Sequence, residues 1–152
     1  IHASGRVHML GQIADKDKLA DLFANCNVFV HPNPHEPFGI TPLEAMASGL
    51  PVVAPNSGGL LSYANRTNAW LSEPRSASFA AAVESVFADE AVRMSKINSG
   101  IATADRYDWD SSTDALFALY DRMYGEFLAS PDLFDYTASP DTTNFAGALT
   151  KC

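Results

Sequence analysis

The sequence predicts an α/β fold, a parallel β-sheet with helices on both faces. Three observations predict it. Short apolar runs with strand character alternate with segments whose apolar residues recur at helical spacing. The β-branched run Pro51–Ala54 leads into the turn Pro55-Asn56-Ser57-Gly58-Gly59. The run Val28–Val30 opens into a glycine-containing loop and then a helix start, and ligands of open parallel sheets bind at the carboxyl ends of strands.

Taken in order, a strand is expected near Val7–Leu10. Asp15-Lys16-Asp17 then opens a helix with Leu19, Leu22 and Phe23 on one face. A strand at Val28–His31 leads to Glu36-Pro37-Phe38-Gly39-Ile40-Thr41-Pro42-Leu43-Glu44-Ala45-Met46-Ala47-Ser48-Gly49. In that stretch Thr41 is expected as N-cap and Pro42 at the first helical position, with Gly49 left-handed beyond the last turn, before Pro51. A strand at Pro51–Ala54 and a short one at Ala69-Trp70-Leu71 complete about four strands. The remainder reads as helix. Phe79, Val83, Val86 and Phe87 form one stripe, Met94, Ile97 and Ile101 a second, and Leu116, Leu119, Tyr120 and Met123 a third. All three stripes are expected to be core faces.

The chemistry concentrates between residues 36 and 49. A helix N-terminus facing Phe38-Gly39-Ile40 offers free backbone N–H groups and a dipole that favour an anion such as a diphosphate. Glu36 and Glu44 supply acceptors for hydroxyl groups. A second reading stands beside this one. Thr41-Pro42-Leu43-Glu44 is also a capping box, with Glu44 reaching back to the Thr41 N–H, and Glu36 is equally an ordinary solvated loop carboxylate.

Composition removes other classes. A net charge of −8 argues against nucleic acid, whose binding is dominated by Lys and Arg on phosphates. No run of basic residues addresses an anionic membrane surface, and no apolar run approaches the ~20 residues of a membrane span. Cys26 and Cys152 are too few for a disulfide framework or a zinc site, so a reducing cytoplasm is the simplest setting. His31 and His35 flank Pro32-Asn33-Pro34 with no third metal ligand in sight. Asp108-Trp109-Asp110 is a D-x-D pattern, yet it precedes a helical stripe, and Asp110 is read as an N-cap.

Glu36-Pro37-Phe38-Gly39-Ile40 followed by Glu44-Ala45-Met46-Ala47-Ser48-Gly49-Leu50-Pro51-Val52-Val53-Ala54 closely resembles the E-x7-E signature of retaining GT-B glycosyltransferases, of the family 4 or group 1 type. Val7-His8-Met9-Leu10-Gly11 resembles that family's glycine-ended strand, and Val28-Phe29-Val30-His31-Pro32 its strand into the donor loop. Gly58-Gly59 and Tyr107-Asp108-Trp109-Asp110 resemble later landmarks, so the likeness runs over about residues 5 to 124.

The resemblance implies a Rossmann-like, GT-B C-terminal domain of about six strands. Its first strand–helix units, its basic phosphate ligands and the acceptor-binding N-terminal domain are expected upstream of Ile1. It implies transfer of a hexose from a nucleoside-diphosphate sugar to a hydroxyl acceptor, with retention and without a metal or other cofactor. Glu44 would take the ribose hydroxyls, and Glu36, the catalytic-site carboxylate, would orient the hexose. Phe38, Gly39, Ile40 and Thr41 would hold the sugar and diphosphate, and Gly58 and Gly59 would either let the donor approach the backbone or form only a turn. Two departures leave the sugar's identity open. Ser62 stands where a glutamate often follows the glycine pair, and His31-Pro32-Asn33-Pro34-His35 replaces the commoner Pro-Ser approach. Residues 1–124 are expected to form the donor domain, inactive by itself, and the polar stretch 125–152 a flexible tail. The setting implied is cytoplasmic, with a peripheral place at the inner membrane face left open. The alternatives are a non-catalytic nucleotide-sugar binding module and a sugar-nucleotide epimerase of the same architecture.

Overall fold

The structure is a computed structural model that describes residues 7–134. The chain divides into two compact units, one ending at Asp108 and one beginning at Trp109.

In the first unit, helix α1 (Lys16–Ala24) is capped by Asp15, whose carboxylate accepts from the Asp17 and Lys18 N–H groups at 3.1 and 3.2 Å. Its Leu19 and Phe23 face the core, where the Phe23 ring meets Phe29 edge-on at 5.7 Å. Strand β1 (Phe29–Val30) pairs in parallel with β2 (Val52–Pro55), placing Phe29 beside Val52 and Val30 beside Val53. Strand β3 (Trp70–Ser72) lies on the other side of β2, so the sheet order is β1-β2-β3. The central strand is buried at all four positions.

Successive side chains of a strand point to opposite faces, and this alternation builds two cores. Val52 and Ala54 join Leu43, Met46, Leu60 and Tyr63 on one face. Val53 and Trp70 join Val86, Phe79 and Val83 on the other. The first core is covered by α1 and α2 (Ile40–Ala47), the second by α3 (Ser76–Val86). Helices on both faces of a parallel sheet is the arrangement the alternation predicts.

Helix α4 (Glu90–Ala104), capped by Asp89, packs closely on α2. A side chain at Gly100 would stand 3.4 Å from the Met46 Cγ, and Ile97 and Ile101 lie over Gly49. The C-terminus of α2 is a Schellman motif. Gly49, at φ +72°, donates to the Met46 carbonyl, and Leu50 donates to the Ala45 carbonyl, both at 3.0 Å.

Several expectations need correction. Val7–Leu10 forms no strand and is exposed, because strand character is realised only against a ladder partner, and none pairs with it among the described residues. Thr41 is not the N-cap of α2. Gly39 is, at φ +89°, so the helix starts at Ile40, Pro42 falls at the third helical position, and Glu44 lies too far along for a capping box. Phe87 ends α3 as its C-cap and is half exposed, as is Met94 on α4.

Among the described residues the second unit contains α5 (Trp109–Ala129) and a 3-10 turn at Pro131–Phe134. Asp110 sits in the first turn of α5, where its charge suits the helix dipole, and does not cap it. Leu116, Leu119, Tyr120 and Met123 share a face as their spacing requires, but α5 buries no residue. The expected boundary after residue 124 falls inside this helix, since Phe127 and Leu128 continue its apolar spacing through Gly125. Residues 135–152, most of the expected tail, lie outside the described residues. No helix of the described residues is long and apolar enough to cross a membrane.

Candidate functional site

The site grows from the carboxyl end of β1. The Phe29 N–H donates to the Pro51 carbonyl at 2.8 Å and the His31 N–H to the Val53 carbonyl at 2.9 Å, which fixes where the chain leaves the sheet. The loop that follows folds on itself through Asn33. Its Oδ1 accepts from the His35 N–H, and its Nδ2 donates to Glu36 Oε2, both at 3.1 Å. His31 Nε2 stands 3.4 Å from the same Glu36 oxygen. That separation is within ion-pair range, yet the buried Nε2 makes no hydrogen bond. The imidazole is stacked on the Phe29 ring at 6.3 Å. Glu36 is thus a half-buried carboxylate held from two sides, not a free loop side chain.

The turn after β2 grips the same loop by its backbone. The Gly59 N–H donates to the Glu36 carbonyl at 2.7 Å, and the Ser57 hydroxyl donates to the Pro34 carbonyl at 3.1 Å. A side chain at Gly59 would place its Cβ 1.6 Å from the Pro37 carbonyl oxygen. At Gly58, whose φ is +84°, the Cβ would meet the Glu36 carbonyl at 3.0 Å. The glycine pair therefore has a role inside the protein itself: nothing larger lets the Glu36 loop lie against the end of β2.

The first turn of α2 completes the site. No side chain caps it, so the N–H groups at its start have no side-chain partner, while Pro42 contributes none. Gly39 is fixed by Tyr63, whose hydroxyl donates to the Gly39 carbonyl at 2.5 Å. Burial first, then the Glu36 charge and Tyr107, push the Tyr63 phenol well above its ordinary value, so it remains a donor. Phe38, Tyr63 and Tyr107 form a ring trio with centroids 5.4 to 5.9 Å apart. On α2, Pro42, Leu43, Ala45 and Met46 are buried, leaving Ile40, Thr41, Glu44 and Ala47 on the open face.

The structure brings together Glu36, Phe38, Gly39, Gly58 and Gly59 in one tightly packed loop system, with Ile40, Thr41 and Glu44 on the helix that leaves it. Sequence reasoning does not reach Tyr63 and gives Asn33 no role beyond a departure in the loop. It treated His31 as a strand-end residue, and Tyr107 only as part of a later landmark. Ser62 is exposed at the end of the 3-10 turn Gly59–Ser62. Among the described residues no group of three His, Cys, Asp or Glu side chains could hold a metal ion. The arrangement offers uncapped helix N–H donors to an anion and two carboxylates to hydroxyl groups.

Comparisons with known proteins identify the family. The sequence model of the family described as "Glycosyl transferases group 1" matches residues 2–102. An uncharacterized glycosyltransferase of Methanocaldococcus jannaschii is 35% identical over 98 residues, covering 62% of this chain and 25% of that protein. Sucrose-phosphate synthase from Thermosynechococcus elongatus superposes with a TM-score of 0.71 at 31% identity, over 80% of this chain and 31% of that one. HepE from Anabaena, solved in complex with UDP and glucose, gives a TM-score of 0.60 at 28% identity, over 83% of this chain and 32% of that one. The chain thus spans about a quarter to a third of the length of these three proteins.

Proposed function

The chain belongs to the group 1 glycosyltransferases, and from that premise we propose that it is the donor-binding part of an enzyme that transfers a hexose from a nucleoside-diphosphate sugar to a hydroxyl acceptor with retention of anomeric configuration. One observation carries the reading: the uncapped N-terminus of α2 opens directly beside a held carboxylate, Glu36, and carries a second, Glu44, on its exposed face.

The roles follow from the chemistry of each group. The N–H groups at Gly39, Ile40 and Thr41, with the helix dipole behind them, stabilise the charge that develops on the departing diphosphate. Glu44 takes two ribose hydroxyls, one on each carboxylate oxygen. Glu36 accepts from hexose hydroxyls, and the pressure of His31 and Asn33 on one oxygen fixes how the other is presented. Phe38 forms an apolar wall beside the sugar, and Gly58 and Gly59 position the loop. These residues bind, orient and stabilise charge. The neighbour HepE, solved with UDP and glucose, supports a nucleotide-sugar ligand.

Hexose transfer by the full-length protein tests the assignment. Glu36→Gln is expected to lower kcat about a hundredfold, the scale on which misorientation of a bound reactant acts. Glu44→Ala is expected to raise the donor KM about tenfold or more through the loss of charge-assisted hydrogen bonds. Unchanged kinetics in both variants overturn these roles. Calorimetric titration with UDP, GDP and ADP and their hexose conjugates separates the remaining readings. Tight binding with no turnover marks a non-catalytic module, and release of free nucleotide without an acceptor marks an epimerase.

A further inference from the structure

A cavity of about 350 Å³ lies along β3, at the edge of the described sheet. It is walled by β3 and by one face of α3, and shares no residue with the Glu36–Glu44 loop system. Its chemistry is of another kind. Two cations, Arg66 and Lys96, line it together with Trp70 and the hydroxyls of Ser72, Ser78 and Ser85.

Lys96 is held in place: its Nζ donates to the Ala69 carbonyl at 2.9 Å and sits 4.4 Å from the centre of the Trp70 ring. Burial, and then the neighbouring Arg66 charge, lower its pKa. Among the described residues neither cation has a carboxylate partner, whereas Arg75 pairs with Glu73 and Arg93 with Glu90. Two like charges converging on one partly buried space raise each other's energy, and an anion seated between them reverses that cost. The serines add a second requirement. The Ser72 and Ser85 hydroxyls donate to the carbonyls of Glu73 and Ala82 at 3.1 and 2.7 Å, which leaves their oxygens as acceptors. A ligand that satisfies the site carries an anionic group for the cations and hydroxyl donors for the serines. The volume suits a small molecule.

We propose that this cavity is a binding site for a small phosphorylated sugar or polyol, separate from the donor site. It does not rest on the glycosyl-transfer reading.

Glucose 6-phosphate is the probe, with inorganic phosphate and glucose as partial probes, in calorimetric titration of the full chain. Saturable binding is expected for glucose 6-phosphate, weaker binding for inorganic phosphate, and none for glucose. Arg66→Gln and Lys96→Gln are each expected to weaken it about tenfold, the value of one charge-assisted contact. The chain's two tryptophans are Trp70 and Trp109, so in a Trp109→Phe background the Trp70 emission reports occupancy directly. Arg66 lies on an exposed turn, so Arg66→Gln carries the test if Lys96→Gln loses its cooperative melting transition. The proposal is overturned if no phosphate compound binds saturably, or if glucose binds as well as its phosphate. It fails equally if Arg66→Gln binds like the wild type, or if saturating UDP abolishes the signal.

Discussion

The loop system at the carboxyl ends of β1 and β2 and the cavity beside β3, both proposed above as anion sites, are built in different ways. The first works with backbone. Its donors are the N–H groups at the start of α2, its shape is set by three glycines, and its charged side chains are acidic. The second works with side chains, two cations brought from opposite ends of 31 residues of sequence, Arg66 to Lys96. Backbone sites tolerate little substitution because each atom is covalently committed to its position. Side-chain sites lose one contact at a time. The comparison therefore predicts a large loss where a packed loop glycine is filled and graded losses where a single side chain is removed, in the loop or at the cavity.

Gly59→Ala is the strongest way to break that contrast. The added Cβ would stand 1.6 Å from the Pro37 carbonyl oxygen, a clash with backbone that no rotamer relieves. The loop must leave the end of β2, at an expected cost of about 3 kcal/mol or more. Denaturant unfolding measures it, and a change under about 0.5 kcal/mol, the range of surface substitutions, would show that the loop is not braced by the glycine pair.

The same contrast explains what could be read in the sequence. Gly39, Gly49, Gly58 and Gly59 announced backbone turns, and each has positive φ or a contact that excludes a side chain. Val52-Val53-Ala54 announced a buried strand because β-branched residues in a short run fit that setting and no other nearby. Val7–Leu10 carries the same kind of pattern, but a strand is a relation between two segments, and the residues themselves do not contain the partner. Thr41 was a sound cap by composition. What displaced it was Gly39, anchored by a tyrosine 24 residues away that nothing local could indicate. The cavity was invisible for the same reason. Arg66 and Lys96 are ordinary surface residues until β3 and the helix α4 bring them to one space.

Tyr63 gives a smaller effect with a pH signature. Tyr63→Phe removes the hydroxyl that holds the Gly39 carbonyl, and is expected to cost about 1 kcal/mol. The phenol's folded-state pKa lies above its unfolded value of 10.0, so the folded protein favours the protonated form. Its contribution is complete below that value and is lost as pH rises beyond it. Wild-type stability should therefore fall more steeply than that of Tyr63→Phe above pH 10.0. Parallel stability curves for the two proteins would remove Tyr63 from the support of the site.

The smallest effect expected in the loop comes from His31, which with Asn33 meets the Glu36 carboxylate in a loop otherwise braced largely through backbone groups. Its Nε2 lies 3.4 Å from Glu36 Oε2, and its ring is stacked on Phe29. His31→Phe keeps the stacking and removes the polar contact, so the fold should hold while Glu36 is restrained by Asn33 alone. Losing one of the two contacts on that carboxylate is expected to weaken donor affinity about twofold, or about 0.5 kcal/mol. His31→Gln restores a hydrogen-bonding group at the same place and should recover most of that loss. Donor titration of both variants decides the matter. If His31→Phe binds the donor like the wild type, the imidazole acts only as packing for Phe29, and the orientation of Glu36 belongs to Asn33. A loss in His31→Phe that His31→Gln recovers places His31 beside Asn33 among the residues that aim the carboxylate, a graded side-chain element like those at the cavity.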